Sequence, residues 1–205
     1  MMDALMAQAV QGMRDHGFKV EELRTAEEAR DYLLSHIEAG QSVGVGGSVS
    51  LRDIGVLPAL KQKGCMVYTS WDAAPQDVPA IRLNSRNAEV YLSSANAVTK
   101  TGKLVLIDGI GNRVGAICDG PHDVYFVISH SKVVDGGINT AIARIKKNAC
   151  PQNTRRLGID TPCAHTGICG GDDCENTICR LTLVLDKVPK NRHMTVLFVE
   201  EALGY

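Results

Sequence analysis

SVGVGGSVSLRDIGVL, residues 42–57, carries a strand, a turn and a helix start in one run. Ser42-Val43-Gly44-Val45 is short and apolar, as a buried strand is. Gly46-Gly47-Ser48 interrupts it at once, and Leu51, Ile54 and Leu57 then recur at helical spacing within a predicted helix from about Ser50 to Lys61. A strand that passes through glycines directly into a helix is the building unit of an α/β sheet. Glycines let backbone approach a ligand closely, and N–H groups at a helix start suit phosphate or carboxylate, with Ser48 placed to cap the helix or donate to the same anion. The same residues also serve as a tight turn without a ligand. The run is not the GxGxxG dinucleotide pattern and no Gly-Lys-Ser/Thr follows, so an NAD or ATP fold is not supported.

Outward from this unit, the first forty residues read as helical. Thr25-Ala26-Glu27-Glu28 forms a capping box, Ala29, Tyr32, Leu33 and Ile37 repeat at helical spacing, and Gly40 supplies a stop. Cys65 to Thr69 reads as a strand, and Trp71 to Ser85 as irregular or weakly helical. Val90 to Val98 and Lys103 to Ile107 form a predicted strand pair around Lys100-Thr101-Gly102. Val124 to Ile128 is apolar throughout, as in a strand buried on both faces. An amphipathic helix from Gly137 to Ala149 follows, and strands at Leu181–Leu185 and Thr195–Val199 come last. This alternation predicts a mostly parallel sheet covered on both faces, in one domain over residues 1–205. Residues 158–180 alone lack an element, and a loop of about twenty residues inside a compact domain is functional or held by something.

Composition narrows the function classes. Hydrophobic residues make up 44% and charged residues 22%, as in ordinary globular proteins, and the formal net charge of −1 offers no general attraction for nucleic acid or anionic membrane. No apolar stretch approaches the roughly 20 residues of a membrane span, and the N-terminus lacks a charged-then-apolar signal layout. The expected compartment is the cytoplasm, where cysteines seldom form structural disulfides.

The stretch from Ser93 to Arg113 concentrates polar side chains at strand ends. Asn96 lies near the end of one predicted strand and Asp108 closes the next, before Gly109-Ile110-Gly111-Asn112-Arg113. Ligands in open α/β sheets bind at such carboxyl ends. Asp108 can act as base or orienter, Asn96 and Asn112 as two-way hydrogen-bonding groups, and Arg113 as a carboxylate or phosphate clamp. Asp-Gly and Gly-Asn are equally ordinary turn pairs. His130 and Lys132 follow the apolar 124–128 strand and so also fall at its carboxyl end, whereas His122, Arg144, Lys146 and Lys147 read as surface.

Four of the seven cysteines, Cys163, Cys169, Cys174 and Cys179, are spaced C-x5-C-x4-C-x4-C inside the 158–180 loop. The spacing matches neither a zinc ribbon nor a bacterial ferredoxin. Four thiolates this close can nonetheless converge on zinc or on a [4Fe–4S] cluster, with His165 and Asp172 or Asp173 as further candidate ligands. Pairing as disulfides and packing as small hydrophobes, the role expected for Cys65 and Cys118, are the other readings.

Taken together, Ser94 through Arg113, Cys118-Asp119-Gly120-Pro121-His122-Asp123-Val124, Ala141-Ile142-Ala143-Arg144-Ile145, Val199-Glu200-Glu201-Ala202-Leu203-Gly204-Tyr205, Gly46-Gly47-Ser48 and Thr161-Pro162-Cys163 resemble the LUD domain family, over essentially the whole chain. The resemblance implies a three-layer α/β/α sandwich of the NagB/RpiA/CoA-transferase type, in which a turn comparable to Gly44–Ser48 cradles a phosphate or CoA-related group. It also implies a link to organic-acid (lactate-type) utilisation, often beside iron–sulfur partner subunits, and by superfamily analogy a homodimer. The isomerase-type catalytic glutamate and lysine do not map onto this sequence residue by residue and are not carried over. The resulting expectation is a small anionic metabolite bound by Gly44, Gly46, Gly47, Ser48, Asn96, Asn112 and Arg113, with Asp108 as catalytic candidate. The alternative is an accessory or electron-transfer subunit carrying a Cys-ligated centre. The family's redox setting favours iron–sulfur over zinc for that centre.

Overall fold

The computed structural model describes residues 2–205. Its first half runs α1 (Met2–Asp15), β1 (Lys19–Leu23), α2 (Ala26–His36), β2 (Ser42–Val45), α3 (Val49–Asp53), α4 (Val56–Lys63), β3 (Met66–Tyr68), α5 (Val78–Arg86), β4 (Val90–Ser93), β5 (Ala97–Thr99) and β6 (Leu104–Asp108). The second half runs α6 (Asn112–Asp119), β7 (Asp123–Ser129), β8 (Val133–Val134), α7 (Ile138–Arg144), α8 (Cys150–Leu157), α9 (Pro162–Thr166), β9 (Leu181–Leu185) and β10 (His193–Val199). Among the described residues no helix is long and apolar enough to cross a membrane.

Two sheets organise these elements. The larger has strand order β1-β10-β7-β4-β2-β3, and each neighbouring pair in it is parallel. Alternation along its central strands feeds two cores. Phe126, Ile128, Val196 and Phe198 face α1 and α6, whereas Val127, Leu197 and Val199 face α2, α3 and α4. The result is the expected three-layer α/β/α arrangement. A second sheet, β8-β5-β6-β9, sorts its residues the same way: Leu104 and Leu106 join the first of these cores, and Val105 and Ile107 face α7 in a third.

Local chemistry explains most element boundaries. The Thr25 cap forms, with Thr25 Oγ1 accepting from Glu28 N at 3.1 Å, while Glu28 Oε2 accepts from Arg24 N at 2.6 Å, one residue before the N–H of a standard capping box. The helix expected over Ser50–Lys61 is two, α3 and α4, because Gly55 at φ +65° breaks it in the left-handed region. Strand β1 occupies part of the stretch expected to be helical, and α5 occupies part of the one expected to be irregular. The 158–180 loop holds α9, started by Thr161 Oγ1 accepting from Ala164 N, with Pro162 in its first turn.

Two departures shape the sites described below. The single strand expected over Val90–Val98 divides at the buried polar pair Ser93-Ser94: β4 ends there in the parallel sheet and β5 begins at Ala97 in the other. The helix expected to end at Ala149 continues to Leu157 through a π turn at Ile145–Ala149. Pro151 supplies the reason, since it lacks an N–H and its ring clashes with the carbonyl four residues back, a conflict that a widened turn absorbs.

Phe126 is fully buried at the centre of the parallel sheet. Phe126→Ala is therefore expected to cost about 3–5 kcal/mol in urea or guanidinium unfolding, with an unchanged m-value.

Candidate functional site

A cavity of about 460 Å³ opens where three adjacent parallel strands end. Gly47–Ser50 follow β2, Ser94–Asn96 follow β4 and Lys132 follows β7; Ile107–Ile110, Asn112 and Arg113 close one side, and α8 and residues 176–178 the other. Of the residues expected to bind an anion, Gly47, Ser48, Asn96, Asn112 and Arg113 line this space together with Asp108, and Gly44 and Gly46 do not.

The last two are glycines for packing reasons. A Cβ on Gly44 would stand 2.0 Å from the carbonyl oxygen of Ser85, and one on Gly46 would stand 2.8 Å from Tyr91 Oη. They let α5 and Arg113 sit directly against the strand. Helix α3 spans five residues, so its N-terminus carries little of a macrodipole, and Ser48 Oγ accepts from Leu51 N at 3.4 Å as its cap.

Asp108 holds the opposite wall. Its Oδ1 accepts from the backbone N–H groups of Ile110 and Gly111 at 3.0 Å each, and its Oδ2 from those of Arg113 and Val114 at 3.1 Å each. These bonds make it the anchor of the turn into α6. Burial pushes its pKa up, but the Ile110 and Gly111 N–H groups, the Arg113 charge and the Val114 N–H together leave it below its ordinary value of 3.8. A carboxylate so occupied is a weak proton acceptor. Arg113 Nη2 donates to Asn96 Oδ1 at 2.9 Å and to Ile107 O at 2.6 Å, and Asn96 Oδ1 also accepts from Ile107 N at 3.0 Å. Asn96 thus locks the β5–β6 junction and aims the guanidinium. Arg144, expected on a solvated helix face, instead donates to Asn96 O at 2.8 Å and Ser131 O at 3.0 Å.

Lys132 is the group that its sequence position suggested least strongly. Its side chain is 3% exposed, and Nζ donates to Ser50 Oγ at 2.8 Å and Ser94 Oγ at 2.9 Å. Among the described residues it forms no ion pair; Asp53, whose charge favours the ammonium, instead accepts from Gly204 N at 2.7 Å. Burial, then the charges of Arg144 and Arg113, lower its pKa to about 7. Such an amine can gain a proton beside an anion or add to a carbonyl carbon near neutral pH. Trp71, another lining residue, has the guanidinium carbons of Arg52 and Arg156 at 4.3 and 4.6 Å from its ring centre. Trp71 Nε1 and Arg82 Nε are buried donors with no acceptor among the described residues. Among the described residues the lining therefore combines Lys132, Arg82, Arg113 and Arg156 with one acidic side chain, that of Asp108.

Cys163, Cys169, Cys174 and Cys179 line a second cavity of about 210 Å³, joined by Cys150 from the start of α8. Sequence spacing had not marked Cys150, which lies outside the loop and reaches it through the π turn. Its Sγ stands 3.3 Å from that of Cys179. Among the described residues no three Cys, His, Asp or Glu side chains are gathered tightly enough for one metal ion, so the structure does not support metal binding by these four cysteines in that form. His165 pairs with Asp160 at 2.7 Å on the surface instead of facing the cavity. Cys65 is buried as expected, whereas Cys118 is exposed.

The family model described as the LUD domain matches residues 6–199. The crystal structure of a DUF162 family protein from Deinococcus radiodurans has a similar fold, with a TM-score of 0.55 at 12% identity, covering 97% of this chain and 98% of that one. No curated protein is significantly similar in sequence.

Two substitutions separate support from ligand contact. Asp108→Ala is expected to lose about 1–3 kcal/mol by unsettling the turn into α6. Its deficit relative to the parent should be full above pH 3.8 and close as pH falls through the lowered folded-state pKa, read from denaturant curves across pH. Gly44→Ala should destabilise by about 1–3 kcal/mol, because Ser85 backbone must move, and leave ligand affinity intact in the fraction that folds.

Proposed function

This chain belongs to the LUD domain family, and on that premise we propose that its larger cavity binds a small anionic metabolite, an organic acid of the lactate type that the family's name suggests. The observation that carries the reading is Lys132, a buried amine held by two serine hydroxyls and, among the described residues, in no ion pair with a carboxylate. Keeping that ammonium charged and desolvated costs a few kcal/mol, on the scale of 1.36 kcal/mol per pKa unit. A carboxylate entering the cavity offsets this cost and gives Lys132 the partner that the fold withholds. Arg82 and Trp71 contribute further donors, and a carboxylate with a neighbouring hydroxyl or keto oxygen has acceptors for several of them. Asp108 and Asn96 act in this reading as positioning groups that hold Arg113 and the cavity wall.

The test is a titration of the protein with a panel of small 2-hydroxy and 2-oxo acids by calorimetry. At pH 7 Lys132→Met is expected to bind at least about tenfold more weakly than the parent. For the parent, affinity should be level below pH 7 and fall above it, because the free amine, with its pKa of about 7, must then take up a proton to bind. That dependence should vanish in Lys132→Met. The stability consequence has the opposite slope: between pH 7 and 10.5 the unfolded chain holds a proton that the folded chain has lost, so the parent gains stability with rising pH through that window. Equal affinities of parent and variant would remove the reading.

A further inference from the structure

We infer that the smaller cavity is a thiolate chamber for a [4Fe–4S] cluster, with three corners at Cys163, Cys169 and Cys174 and the fourth supplied by the Cys150–Cys179 pair. This inference is independent of what the larger cavity binds.

Five of the chain's seven cysteines line one space, although they come from four separate pieces of chain. Cys150 comes from the start of α8, directly after the widened helix turn, Cys163 from α9, Cys169 and Cys174 from either side of the 3-10 turn at Gly171–Asp173, and Cys179 from the residues just before β9. The recruitment of Cys150 from outside the 158–180 loop goes beyond what crowding in the sequence implies, and thiols that only fill a core have no reason to share a cavity. The volume of about 210 Å³ far exceeds the roughly 10–15 Å³ that a single water requires.

The spacing of the sulfurs argues against a single metal ion. A tetrahedral zinc site, with bonds of about 2.3 Å, brings each pair of sulfurs within about 4 Å of one another. Among the described residues no such set exists. A cubane carries its own bridging sulfides and spreads its four thiolates outward, so its ligands stand on the walls of a chamber. Two sulfurs 3.3 Å apart cannot radiate to two different irons, so one of Cys150 and Cys179 takes the fourth corner and the other stands beside it.

The surroundings suit sulfur ligands. Gly171 N donates to Cys169 Sγ at 3.5 Å, and the hydroxyls of Thr161 and Thr154 lie 3.4 and 3.9 Å from Cys163 Sγ. Hydrogen bonds of this kind tune cluster potential and hold ligand orientation. Lys146 lines the chamber and offsets the negative charge of four thiolates, with Asp172 on the same lining as an opposing charge. Binding would release the thiol protons.

The experiment is anaerobic reconstitution of the full chain with iron and sulfide in the presence of a thiol, followed by gel filtration, metal and sulfide analysis and visible absorption. The expected result is about four irons and four sulfides per chain with a broad charge-transfer band. Cys169→Ser and Cys174→Ser, at an exposed and a half-buried position, should lower iron several-fold, as should the double variant Cys150→Ser/Cys179→Ser. Cys118→Ser, outside the chamber, should match the parent. Circular dichroism of each variant distinguishes loss of the centre from loss of fold. Retention of no iron by the folded parent, stoichiometric zinc in its place, or parent-level iron in the double variant would each overturn the assignment.

Discussion

The shape of the larger cavity depends on how one carboxylate settles a turn. Where β6 ends, the chain must reverse into α6 while leaving the strand's carboxyl end open, and this strips four N–H groups of sheet or helix partners. Asp108 takes all four. That places Arg113 at the second position of α6, from which its guanidinium reaches back to Asn96 and Ile107. Asn96 in turn fixes the crossover by which the chain leaves the parallel sheet and enters the second one. A cation, an amide and a carboxylate thus brace two sheets against one helix, and the ligand space is what this bracing leaves open.

Against that frame the electrostatics are deliberately one-sided. Lys132, Arg113 and Arg144 crowd a region where Asp108 is already spent on backbone groups, and each of the three has its pKa lowered by burial. Folding stability alone gives no reason to bury a lysine against two serines, since an apolar residue of similar volume would be at least as stable there. A surplus of buried cation around an open cavity is what supports the proposal that an anion binds there.

Much of this was legible in the sequence, because period and punctuation dictate it. The apolar run Val124–Ile128, the Val43–Ser48 strand and turn, and the Thr25–Glu28 box each specify their own local structure, and their alternation specifies a parallel sheet. What was not legible depended on contacts between distant residues. Gly44 and Gly46 looked like ligand glycines because no sequence reveals that Ser85 and Arg113 press against them. Lys132 gave only its place after a buried strand, and its partners Ser50 and Ser94 lie 82 and 38 residues away. Cys150 stood apart from the cysteine run, and only the consequence of Pro151 for helix winding turns it toward that run.

The same helix turn ties the two cavities to each other. Cys150, Thr177 and Ile178 line both. Residues 176–178, which close the larger cavity, lie between Cys174 and Cys179, and the backbone continues from Arg180 N to a bond with Asp108 O at 3.1 Å. A segment held at Cys174 and Cys179 has few conformations left for the residues between them, whereas one held at β9 alone keeps most of its chain entropy. With the proposed cluster in the thiol chamber, the order imposed there would extend to the roof of the larger cavity, and a ligand of that cavity would have less chain entropy to remove.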